Sequence, residues 1–169
     1  MSNLEEQVGN FFCTKEDMYQ FMDKRAKILL GSEKDWLANL ANTSALIFMF
    51  LKNINWVGFY LKKGNDLVLG PFQGKPACPR IPEGKGVCGT AATKKETIVV
   101  PDVNRFPGHI ACDQASRSEI VIPLIKGGEV MAVLDIDSPV KDRFDAEDVR
   151  GLEKIVQGIM ELIEWNRIE

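Results

Sequence analysis

The chain has little histidine, one in 169 residues, and no long apolar run. The longest such run is Ala45 to Leu51, far short of the roughly 18 residues that a membrane helix needs. Positive charge is not in excess either: 21 Lys and Arg stand against 24 Asp and Glu, and no basic stripe stands out. That balance argues against nucleic acid as the main partner and leaves polybasic anchoring at a membrane without support. The N-terminal stretch MSNLEEQVGNFFC is acidic and lacks the apolar core of a secretory signal. The cytoplasm is therefore the expected compartment, where thiols stay reduced and disulfides are transient. There is no internal repeat and no low-complexity linker. A chain of this length buries roughly 70 % of its unfolded surface as one domain, so it needs no disulfide staples to fold.

What the chain does have is cysteine in unusual places. Three of its four cysteines, Cys78, Cys88 and Cys112, fall within 35 residues. They stand among Gly, Pro and charged residues, in GKPACPRIPEGKGVCG and GHIACDQASRSE, rather than in apolar runs. A thiol kept for packing belongs in a hydrophobic stretch, whereas loops carry chemistry. Cys13, beside Phe11 and Phe12, reads as a buried or incidental thiol.

Periodicity and capping signals give the frame. Residues 15–30 are expected to be a helix capped by Thr14 and ended by Gly31, and Ser32 to cap a second from about 33 to 51. Strands are expected at 54–61 and 67–72, joined by Lys-Lys-Gly-Asn-Asp, and at 119–125 and 130–136, joined around Gly127-Gly128. Residues 74–89 and 101–118 read as irregular loops, with a short helix at 87–94 and a short strand at 98–100 between them. Asp145 starts a final helix to about 168. Helices at both ends of a β-rich middle predict an α+β fold: an antiparallel sheet with the N- and C-terminal helices on one face. The organisation is thus helical over 14–51, sheet and loops over 53–139 and helical over 145–168, all in one domain, 1–169.

The motifs are read through strand parity. In Trp56-Val57-Gly58-Phe59-Tyr60, the residues Trp56, Gly58 and Tyr60 share a face. Two aromatics flanking a glycine leave a gap that fits a methyl or thioether group, or else the glycine relieves a crowded core. In Leu134-Asp135-Ile136-Asp137 both aspartates share a face, with Val133 and Met131 assigned to it further back. Paired carboxyls hold an ammonium group or share a proton; otherwise they end a strand in an Asp turn. Glu119 joins them only if a bulge or an odd loop shifts the pairing. A plain two-residue Gly127-Gly128 turn pairs 119 with 136 and turns Glu119 to the other face.

For the thiols two chemistries stay open. A nucleophile and a resolving thiol on separate loops suit a sulfenate-to-disulfide cycle. Cys88 at a probable helix start has free backbone N–H groups to favour a thiolate. The other reading is a zinc set of Cys78, Cys88, Cys112 and His109, though its spacing lacks the short cysteine pair of structural zinc sites. His109 is either a base for Cys112 or a structural hydrogen-bonder.

The segments NWVGFYL, LVLGPFQGKPACPRIPEGKGVCGTA, DVNRFPGHIACDQASRSEIVIPL and VLDIDSP resemble the free methionine-(R)-sulfoxide reductases, which are single GAF-domain enzymes. The resemblance spans about residues 53–145. It implies a six-stranded antiparallel sheet with helices on one side and the pocket under loops on the other. It implies reduction of free L-methionine-(R)-sulfoxide, with Cys112 as nucleophile, Cys88 as principal resolving thiol and Cys78 as a second thiol in the relay. Glu119, Asp135 and Asp137 match the pocket carboxylates, and Trp56 and Tyr60 the aromatics around the methyl group. Thioredoxin as reductant and a homodimer are implied; no metal and no cofactor are. A non-catalytic GAF sensor or a metal-binding module is the alternative.

Overall fold

The computed structural model describes residues 12–110 and 112–165. In chain order they form α1 (Lys15–Leu30), α2 (Trp36–Phe50), β1 (Trp56–Lys63), β2 (Asp66–Gly74), β3 (Arg80–Pro82), α3 (Gly86–Lys94), β4 (Ile98–Val100), a 3-10 turn (Val103–Arg105), β5 (Ser118–Lys126), β6 (Glu129–Ser138) and α4 (Ala146–Leu162). The strands make one antiparallel sheet in the order β3-β2-β1-β6-β5-β4. The expected α+β architecture is present. Helix α1 packs on α4 and α2, which lie over the sheet, and α3 packs on the opposite face with the loops.

Helix starts follow side-chain capping. Thr14 Oγ1 accepts from Asp17 N at 3.1 Å, as its sequence position predicts. The second helix begins later than expected. Glu33 Oε1 takes the amides of Lys34 and Asp35 at 2.7 and 2.8 Å, holding that stretch out of helix. Asp35, not Ser32, is then the cap, accepting from Ala38 N at 3.0 Å. Asp145 and Asp148 form a capping box at α4. That helix stops at Leu162, short of the expected 168; residues 166–169 lie outside the described residues. The short strand β3 falls within the stretch read as an irregular loop, where Leu67 pairs with Ile81.

Sheet alternation divides the interior in two. Val57, Phe59, Leu134, Ile136, Ile120 and Ile122 face the helices, where Met22, Leu40, Ile47, Leu152 and Ile159 meet them. Each fully buried aliphatic there contributes roughly 1.5–3 kcal/mol. The other face carries Trp56, Tyr60, Val121, Val133 and Ile81, and Cys88 of α3 packs with them.

One bulge positions the site. Lys126 pairs with Glu129 and Ile125 with Val130 across a two-residue Gly127-Gly128 turn, but Leu124 pairs with Ala132. Met131 is the extra residue. It packs toward the helix-side core while Val130 turns to the pocket face, which corrects the expectation that Met131 shares the aspartates' face. Beyond the bulge every pair is shifted by one, and Glu119 stands opposite Asp137. The condition set for a three-carboxyl face is met.

Candidate active site

Three adjacent strands carry the floor of the site. Trp56 pairs with Asp137, which pairs with Glu119; Gly58 pairs with Asp135, which pairs with Val121. Directly opposed residues of antiparallel strands share a face. Glu119 and Asp135 are therefore together on the pocket face, 5 % and 7 % exposed, with Asp137 partly buried beside them. Helix α3 delivers Cys88 onto this acidic floor at 3 % exposure. Its first residue, Gly86, has φ +61° and lies so near Ile110 that a Cβ would sit 3.2 Å from Ile110 Cγ1. Both the backbone conformation and the close approach call for glycine.

The roof is a disulfide. Cys78 and Cys112 are bonded, with Cα atoms 5.6 Å apart, and Cys78 N approaches Cys112 Sγ at 3.4 Å. Cys112 thus pairs with the thiol expected second, and Cys88 remains free underneath. The zinc set of Cys78, Cys88, Cys112 and His109 does not hold in this form, because two of its thiols are consumed by the bond. Cys13 is free and exposed rather than buried. Between roof and floor lies a cavity of about 20 Å³ lined by Cys88, His109, Cys112, Glu119, Asp135 and Asp137 among others. That is room for one or two waters and too little for a free amino acid in the disulfide form.

Electrostatics follow from burial and from the crowding of acids. Burial first, then the neighbouring Asp137 charge, pushes the Glu119 carboxyl well above its ordinary range. Asp135 is raised by burial and by Glu119, and Asp137 by burial and by Asp135. The Cys88 thiol is raised by burial and then by Asp135 and Glu119. This overturns the expectation that the helix start makes Cys88 a ready thiolate: the dipole of a nine-residue helix is outweighed by desolvation and two acids. Asp135 Oδ1 is buried without a hydrogen-bond partner. His109 Nε2 lies 3.3 Å from Glu119 Oε2, and burial lowers the imidazole below its usual value. The lone histidine is thus placed against a pocket acid.

Trp56 and Tyr60 are buried on the pocket face, as parity requires, but neither lines the cavity. The gap foreseen over Gly58 is filled by Trp56 itself: a Cβ on Gly58 would collide with Phe72 Cβ and lie 2.5 Å from Trp56 Cη2. The indole stacks between Phe72 and Tyr60 at 5.4 and 5.9 Å. Its Nε1–H donates to the Lys75 carbonyl and Tyr60 Oη to the Cys78 carbonyl, both at 3.0 Å. The two aromatics therefore tether the segment that carries Cys78.

Sequence reasoning missed the anchor of the other loop. Asp113 accepts from Ala115 N at 2.9 Å, from Asn55 Nδ2 at 3.0 Å and from Lys75 Nζ at 3.3 Å; Asn55 also donates to Ser116 Oγ at 3.1 Å. The Ala115 bond, then Asn55, hold the Asp113 carboxyl below its ordinary range. An Asp two residues before a small residue was the available signal for this Asx turn. The amides of Ala115, Ser116 and Arg117 are already donated, to Asp113 and Ser138, and so are not open to a substrate carboxylate in this form.

Residues 36–162 match the GAF domain. The chain is 51 % identical over 142 residues to the Escherichia coli protein named free methionine-R-sulfoxide reductase, covering 84 % of this chain and 86 % of that one. It is 50 % identical over 159 residues to protein YtsP of Bacillus subtilis, covering 93 % and 95 %. The structure of free methionine-R-sulfoxide reductase from Neisseria meningitidis, in complex with its substrate, superposes with a TM-score of 0.88 at 42 % identity, covering 92 % of this chain and 94 % of that one. With its three cysteines and three carboxyls gathered on one face of the sheet, the chain belongs to the GAF family, among the free methionine-R-sulfoxide reductases.

Proposed function

We propose that this chain reduces free L-methionine-(R)-sulfoxide to L-methionine by a thiol relay in which Cys112 is the nucleophile and Cys78 the first resolving thiol. The observation that carries the reading is the Cys78–Cys112 disulfide roofing a pocket floored by carboxyls with raised affinity for protons. In the reduced, opened form the Cys112 thiolate attacks the sulfoxide sulfur. A carboxyl kept protonated by burial, Glu119 or Asp135, gives its proton to the oxygen. The oxygen passes to Cys112 as a sulfenic acid and methionine leaves. The Cys78 thiolate then attacks the sulfenic sulfur, water departs, and the disulfide forms. Two electrons have moved from two thiols to the sulfoxide.

Asp137 and its neighbours also suit the substrate ammonium, which selects a free amino acid over a peptide. Trp56 and Tyr60 are proposed to face the methyl group once the Cys78 segment moves. Cys88 stands in reserve as a second resolving thiol. Thioredoxin, a dithiol protein, is the proposed reductant, and the cytoplasm the compartment. Among the described residues no helix is long and apolar enough to cross a membrane. A homodimer is supported by apolar residues left exposed on α1 and α2, among them Ile28, Leu37 and Met49.

The test is turnover of the (R) and (S) epimers of free methionine sulfoxide with dithiothreitol, for wild type and Cys112→Ser. Methionine released from the (R) epimer alone, and lost with the substitution, is expected. Turnover of neither epimer would leave a ligand-binding GAF module.

A further inference from the structure

Cys88 has no bond to make in the disulfide form, yet it is held in the least accessible part of the site. Its Sγ, a Glu119 oxygen and an Asp135 oxygen all lie within 4.8 Å of one another, and all three residues are buried. His109 and Lys85 line the same cavity, yet Asp135 Oδ1, in a side chain more than nine-tenths buried, has no hydrogen-bond partner. The cavity they line, about 20 Å³, is on the scale of a single ion or water and not of an amino acid. One soft donor and two hard ones around an ion-sized space suit a borderline metal.

We propose that the Cys78–Cys112 disulfide form of this protein binds one zinc ion, held by Cys88 Sγ and by the carboxylates of Glu119 and Asp135. Zinc takes thiolate at about 2.3 Å and carboxylate at about 2.0–2.2 Å, so the three atoms need draw together by about an ångström. The ion displaces the thiol proton and any carboxyl protons to solvent; nothing is oxidised or reduced. His109, whose Nε2 is 3.3 Å from Glu119 on the same cavity, is the nearest donor for a fourth position. The two thiols used in the disulfide take no part. Zinc here is no resident cofactor. It occupies the pocket of the oxidised form and withholds Cys88 from thiol exchange until the disulfide is reduced and the ion released.

The test uses the full chain with Cys13→Ser, which removes the exposed thiol. Protein oxidised with diamide and shown by peptide mapping to carry the Cys78–Cys112 bond is titrated with Zn²⁺ and with Co²⁺. Native mass spectrometry counts the ions, and absorption reads thiolate-to-cobalt charge transfer. One ion per chain with a charge-transfer band is expected, and affinity should fall at least about tenfold to a hundredfold in both Cys88→Ser and Asp135→Asn. The isosteric Asp135→Asn serves as the second variant should Cys88→Ser disturb folding. No stoichiometric ion, or an unchanged affinity and spectrum in either folded variant, overturns the proposal. The readout is independent of turnover, so its failure leaves the reductase reading untouched.

Discussion

Two acidic centres lie on opposite faces of the same sheet, and they are treated in opposite ways. On the helix side Asp148 is fully buried and fully partnered. It meets Lys15 Nζ at 2.8 Å, Arg143 Nη1 at 3.1 Å and Tyr19 Oη at 2.8 Å, and accepts the Asp145 amide at 3.0 Å. On the pocket side Glu119 and Asp135 are nearly as buried, form no ion pair among the described residues beyond the contact of Glu119 with the half-buried His109, and leave an oxygen unpartnered. Burial of a charge costs several kcal/mol unless it is paired. The first centre meets that condition and ties α1, α4 and the preceding loop together. The second violates it, and a violation of that size marks a place where something else binds or reacts.

The contrast sets the order of expected effects. The largest is Cys112→Ser, expected to lower turnover of methionine-(R)-sulfoxide by at least about a thousandfold with thermal stability little changed; steady-state kinetics and a melting curve read both. Next is Asp148→Ala, which strands Lys15 and Arg143. It should cost about 3 kcal/mol in urea unfolding, the low end of the range because Lys15 keeps some water, with activity per folded molecule retained. Asp135→Asn should do the reverse: about a hundredfold loss of turnover with stability kept or raised. Were both substitutions to lower stability alike, the contrast between the centres would fail.

The same contrast has a pH signature. The pocket acids have folded affinities for protons raised above their unfolded ones, so their share of stability is complete below the usual carboxyl range and is lost as pH rises through the folded values. Asp145, bonded to Lys15, is lowered to about 2, so its contribution is present above the ordinary carboxyl range and lost as pH falls toward 2. The melting-temperature gain of Asp135→Asn over wild type should therefore widen from acidic to alkaline pH, and an Asp145→Asn deficit should narrow toward acid. The smallest effect is expected of Tyr60→Phe, which loses one hydrogen bond to the Cys78 carbonyl, about 1 kcal/mol. Its signature is slower disulfide formation after an unaltered first methionine burst, read by rapid quench.

Much of this was legible in the chain and some was not, for physical reasons. Capping residues announced α1 and α4, because a helix end must satisfy its amides and few side chains do so. Alternation placed Asp135 and Asp137 on one face, but Glu119 depended on a bulge at Met131 that no residue type announces. Gly127-Gly128 fixed the turn and left the shift undetermined. For the Cys88 thiol, a helix N-terminus is visible in sequence and burial against Asp135 is not. Parity places Trp56 and Tyr60 on the pocket face, but their hydrogen bonds to Lys75 and Cys78 link strand β1 to a distant loop and carry no local signal. The Asx turn of Asp113 has a local signal, but its bond to Asn55 spans 58 residues and has none.

In the proposed relay the Cys78–Cys112 disulfide over the unpaired acids is the redox centre. Reduced protein mixed with one equivalent of free methionine-(R)-sulfoxide, without any other reductant, tests it in one turnover. One methionine released per chain and a disulfide mapped to Cys78 and Cys112, with Cys88 still free, are expected. Release of no methionine, or a first disulfide that contains Cys88, would contradict it.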